Sequence, residues 1–131
     1  MNISVFGNPD LDFDSLPLHL VPHLQKHFPN TRFLIQDPNE LDLPTAKEWV
    51  ILDTVQDLDH VRILSIEDLR KPKSNVTAHD FDLGTYLLLV CKLKKDIDIH
   101  IVGIPMSYPE DQALAETIAL LRTLEVELEK V

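Results

Sequence analysis

Apolar residues in this chain come as short continuous runs, separated by longer stretches with helical spacing. The run Asn2–Phe6 (NISVF) predicts a buried strand that stops at the turn Gly7-Asn8-Pro9. Thr31–Gln36 (TRFLIQ) predicts a second strand, running into Asp37-Pro38. Glu48–Thr54 (EWVILDT) predicts a third, apolar through its centre and closing on Asp53. Asp59–Ile66 (DHVRILSI) alternates, which suits a strand with one wetter face. Ile97–Ile104 (IDIHIVGI) predicts the last strand.

Helical spacing fills most of the intervals. Ser15 is placed to cap a helix with Pro17 in its first turn, and Leu20, Val21, Leu24 and Phe28 share one face of it. Pro22 lacks the N–H for a helical bond and predicts a kink or an early end. The polar stretch EDLRKPKSNVT, from Glu67 to Thr77, reads mostly as loop. Asp80–Lys94 predicts a helix with a broad apolar surface, and Gln112–Lys130 a long one rich in Ala, Leu and Glu. Strands alternating with helices imply an α/β fold of three layers: a mostly parallel central sheet of about five strands with helices on both faces. One strand is expected to be antiparallel, since the link from Asp53 to Asp59 is too short for a helical crossover. No linker divides residues 1–131, so one domain is expected.

Composition narrows the class of protein. With 131 residues, 44% of them hydrophobic, the chain suits a single soluble domain. Its lone cysteine, Cys91, excludes an internal disulfide and fits a reducing, cytoplasmic compartment. The thiol falls in an apolar helical stretch and reads as buried and inert. No run suits a bilayer span, and the first residues lack the pattern of a secretory signal. A formal net charge of −10 repels phosphate backbones and argues against a nucleic-acid partner. It suits a basic peptide or a metal cation, although solubility alone also accounts for it.

Candidate chemistry lies at the strand ends. Asp14 follows the first strand, Asp37 ends the second and Asp53 ends the third. If these strands are parallel, the three carboxylates gather at one edge, the side on which such sheets bind ligands. Like charges crowded there cost energy unless something positive sits between them. His79 stands just before the helix expected from Asp80. The positive end of a helix dipole favours the neutral imidazole, the form that binds metal. Two carboxylates and an imidazole suit a divalent ion such as nickel or zinc. Spacing alone also allows a solvated loop and a plain helix cap. His19, His23 and His27 recur every four residues, but Pro22 weakens the helical geometry, and they read as a solvated border. His60 and His100 read as packed or surface residues, Trp49 and Phe33 as core, and Arg70–Lys73 (RKPK) as a solvated loop. Gly-x-Ser-x-Gly, Gly-x-Gly-x-x-Gly and P-loop patterns do not occur.

Taken in order, these residues resemble the nickel–iron hydrogenase maturation endopeptidases. The resemblance rests on Gly7-Asn8 with Asp14 after the first strand, Asp37 after the second, and Asp53 in VILDT. It continues through Thr77-x-His79 before a helix and VGIPMSYPED after the last strand. It covers nearly the whole chain. The chain departs from the family at Phe13-Asp14-Ser15-Leu16-Pro17 and at Asp37-Pro38-Asn39, where the family carries glycines. The resemblance implies an endopeptidase that removes a C-terminal peptide from the precursor of a hydrogenase large subunit. Nickel seated in that client would act as a checkpoint, contacted by Asp14, Asp53 and His79, with zinc or cadmium as substitutes in a crystal. Asp14, Asp37 and Asp53 become the catalytic candidates, and Asn8 and Asp37 the substrate-binding ones. No organic cofactor and no membrane partner are implied. The altered loops also allow a non-catalytic module that docks a metalloprotein precursor or chaperones its metal, and an acidic domain without a metal function stays open as a third reading.

Overall fold

The computed structural model describes residues 1–37, 47–70, 84–93 and 96–129. Five strands form one sheet: β1 (Asn2–Val5), β2 (Arg32–Ile35), β3 (Glu48–Val55), β4 (Arg62–Leu64) and β5 (Asp98–Pro105), in the order β2-β1-β3-β5-β4. β1 pairs in parallel with β2 and β3, β3 pairs in parallel with β5, and β4 runs antiparallel to β5. The helices are α1 (Leu16–His27), α2 (Ile66–Arg70), α3 (Gly84–Leu93) and α4 (Glu110–Glu129), with a 3-10 turn at Asp12–Asp14. The mostly parallel sheet with one antiparallel strand and helices on both faces is the architecture that the pattern predicts.

Alternation along the strands sorts the core into two layers. Ile3, Val5, Val50, Leu52, Val102 and Ile104 face one side, where they meet Leu20 and Leu24 of α1 and Ala113, Leu121 and Leu124 of α4. Trp49, Ile51, Val55, Ile99 and Ile101 face the other, against Leu87 and Val90 of α3. β3 lies at the centre, and all of its residues from Trp49 to Val55 are buried. The Trp49 indole N–H donates to the Ser4 hydroxyl at 2.9 Å, joining β3 to β1 beneath the α3 layer.

Several local expectations are corrected. α1 does not end early at Pro22 but runs on to His27 with the proline inside it. Pro22 is exposed, while Leu20, Leu24 and Phe28 bury the opposite side and hold the turns on either side of the missing bond. Ser15 makes no side-chain cap; its hydroxyl donates back to the Asp12 carbonyl at 3.2 Å. The alternating stretch expected over Asp59–Ile66 yields only the three residues of β4. It ends at Ser65, whose backbone N–H and hydroxyl both donate to the Asp68 carboxylate, at 2.7 and 3.2 Å. The carboxylate reaching back to the Ser65 N–H is the reverse arm of a capping box, and it starts α2 in what reads as loop. Cys91 is half-buried against the α3-side core rather than fully enclosed. At the end of α1, the Arg122 guanidinium of α4 lies 5.2 Å from the centroid of the Phe28 ring.

Candidate functional site

The chain turns from β2 on one side of β1 to β3 on the other, so the strand order reverses between β1 and β3. The crevice outside the carboxyl ends of those two strands is where open α/β sheets bind ligands. The residues that follow β1 and end β3 therefore matter most.

Leaving β1, the chain passes Gly7 and curls back on itself. The Asn8 N–H donates to the Asp14 carbonyl at 2.9 Å, and the Asn8 side-chain oxygen accepts from the Asp10 N–H at 2.9 Å. A Cβ on Gly7 would stand 2.8 Å from that same Asp14 carbonyl oxygen and 3.2 Å from Leu18 Cγ. Only glycine lets the two ends of the loop approach this closely. Gly7→Ala is thus expected to push the Asp14 segment outward, costing about 1–3 kcal/mol of stability by urea titration.

Asp14 is buried, at 9% exposure, and so is Asp53, at 4%. Thr54 links them. Its hydroxyl donates to the Asp14 carboxylate in a short hydrogen bond, and its backbone N–H donates to Asp53 Oδ1 at 2.9 Å. By strand alternation Asp53 belongs to the α3 face of β3 and Thr54 to the α1–α4 face, so the linked carboxylates straddle the rim of the sheet. Opposite Asp53 in the β3–β5 register stands Gly103. Replacing Thr54 by valine keeps the shape and removes the hydroxyl. It should cost about 1–3 kcal/mol, read by thermal melting, because Asp14 is buried and loses a donor.

Thr54 is the residue of the candidate site that the sequence reading misses, since a threonine near a strand end is unremarkable on its own. Asp37 lies two residues beyond the end of β2, exposed, just after the Gln36 N–H donates to the Val5 carbonyl at 3.0 Å. It shares the rim with Asp14 and Asp53. Asn8 is exposed on the same loop as Asp14. His79 and Thr77 lie outside the described residues. Among the described residues no group of three or more histidine, cysteine or acidic side chains converges as a metal cluster.

A second network braces the same rim. The Tyr108 hydroxyl, in the loop after β5, donates to Glu116 Oε2 at 2.7 Å, while Glu116 Oε1 accepts from the Val61 N–H at 3.0 Å. α4 thereby fastens the loop that leaves β5 to the one that enters β4. The hydrogen bond to Glu116 pushes the Tyr108 hydroxyl up from 10.0 to about 12, and the same bond, followed by that from Val61, holds Glu116 below the usual carboxylate range. The Tyr108 contribution to stability is full below pH 10.0 and is lost as pH rises through about 12. The Glu116 contribution is full above the ordinary carboxylate value and is lost as pH falls through its depressed one. In a Tyr86→Phe background, Glu116→Gln should return the phenolate absorbance transition of Tyr108 towards 10.0.

No protein-family model matches this chain, and no curated protein sequence matches it. Its structure is similar to the crystal structure of the hydrogenase 3 maturation protease, with a TM-score of 0.53 and 19% identity, over 91% of this chain and 87% of that one. The two proteins share a fold. At this identity the likeness speaks for the architecture and leaves the chemistry to the residues. No helix among the described residues is long and apolar enough to cross a membrane.

Proposed function

We propose that this protein is an endopeptidase that trims the C-terminal tail of a nickel-loaded hydrogenase large-subunit precursor. The observation that carries the reading is the Asp14–Thr54–Asp53 chain at the β1–β3 switch point. The fold shared with a hydrogenase 3 maturation protease supports it, as does the resemblance of the residues themselves. In this reading the nickel belongs to the client and is part of the substrate. Asp14 and Asp53 offer it oxygen donors at the rim, with His79 as the proposed third ligand. Asp37, exposed just beyond the end of the neighbouring strand, is the proposed contact for the tail. An aspartate takes a proton from water as its oxygen adds to the scissile carbonyl. The C–N bond then breaks and the departing amine takes a proton.

The test mixes the purified protein with nickel-loaded and nickel-free precursor and weighs the large subunit by mass spectrometry. Shortening of the loaded form alone is the expected result. A loaded precursor that stays full length defeats the proposal. The altered loops Phe13-Asp14-Ser15-Leu16-Pro17 and Asp37-Pro38-Asn39 favour a docking module as the second reading. A loaded precursor that binds without being shortened supports that second reading.

A further inference from the structure

α1 carries His19, His23 and His27, all exposed, on a helix that the structure shows to be continuous from Leu16 to His27. On a helix, side chains four residues apart stand about 5–6 Å apart at Cβ on one face. That spacing is the one by which two histidines of a helix hold a single zinc ion. Pro22 lies between His19 and His23, where its missing bond loosens the turn. The pair His23 and His27 lies wholly beyond it. The last turn is closed, since the Phe28 N–H donates to the Leu24 carbonyl at 2.9 Å. This is also the negative end of the helix dipole, which favours a bound cation. The formal net charge of −10 raises the local concentration of cations around the whole molecule.

We infer that His23 and His27 form a bidentate surface chelate for an imidazole-seeking divalent ion of the nickel, copper and zinc class, separate from the Asp14–Asp53 rim. Both imidazoles bind in the neutral form through one ring nitrogen each, and the remaining positions are open to water or to a donor from another molecule. His19, about 6 Å further along the helix axis from His23, is not required. Hard ions such as magnesium and calcium, which seek oxygen, are excluded by the donor set. The inference does not depend on the proposed peptidase activity.

The experiment titrates the full-length protein with Ni2+, Cu2+, Zn2+, Mg2+ and Ca2+ salts by calorimetry, in the Asp53→Asn variant so that the rim contributes less. Expected is one equivalent bound, tightest for copper, as the Irving–Williams order requires, and no binding of magnesium or calcium. His23→Ala and His27→Ala should each weaken binding at least about tenfold, through loss of the second, intramolecular ligand. His19→Ala should leave it within about twofold. His23→Gln and His27→Gln repeat the test in case an alanine variant fails to fold, with far-UV circular dichroism as the control. Binding that survives both His23 and His27 substitutions, or that is equally strong for calcium, overturns the inference.

Discussion

With Asp53 replaced by asparagine, the protein is expected to leave the precursor tail in place while folding as before. Asparagine keeps a side-chain oxygen that accepts the Thr54 N–H, so the 2.9 Å bond at the end of β3 has a successor. The side chain is 4% exposed, and asparagine matches its shape, so the packing around it stays in place. Stability should therefore hold. What is lost is the anionic oxygen, the group proposed to meet the client's metal or to take a proton from water. Loss of such a group lowers rates by roughly 10²–10⁴-fold. Timed mass spectrometry of the precursor reads the rate, and a thermal melt of the same sample reads the fold. Parental cleavage by Asp53→Asn would remove the rim from the mechanism.

Trp49→Ala should be the most damaging single change to the fold. The ring is 7% exposed, packed in the α3-side core, and its indole N–H reaches Ser4 on the adjacent strand. Large aromatic-to-alanine truncations in cores cost about 3–5 kcal/mol. Domains of this kind hold only about 5–15 kcal/mol in total. The variant is thus expected near the edge of unfolding at room temperature. Trp49→Phe keeps most of the packing and should lose far less, with the vacated Ser4 hydrogen bond worth about 0.5–1.5 kcal/mol. Because this is the only tryptophan of the chain, the urea midpoint must be followed by far-UV circular dichroism. A midpoint for Trp49→Ala close to that of the parent would contradict the packing described.

The central strands were legible because burial on both faces demands uninterrupted apolar residues, and VILD and IVGI supply them. α4 was legible for the opposite reason, its long alternation of Leu and Ala with charge. The misreadings arise where local chemistry and tertiary packing disagree. Pro22 signals a break, yet Leu20 and Leu24 are buried on either side of it and the helix continues. Ser65 looked like strand because it follows Ile63 and Leu64, whereas its partner is Asp68, three residues ahead. In the site, Asp14 and Asp53 stood out as carboxylates at strand ends. Thr54 did not, because its importance comes from a partner 40 residues away. Periodicity carries no information about which segment of the chain a hydroxyl will meet.

The strand order also bears on how the chain emerges during synthesis. Among the described residues β4 pairs with β5 alone, and β5 inserts between β3 and β4 although it follows both in sequence. Until residues 98–105 have left the ribosome, one edge of β3 is an unpaired apolar ribbon and β4 has no neighbour. Nascent chains stalled before that point present a sticky margin to other chains, so release or chaperone cover is needed most in the interval between residues 55 and 105.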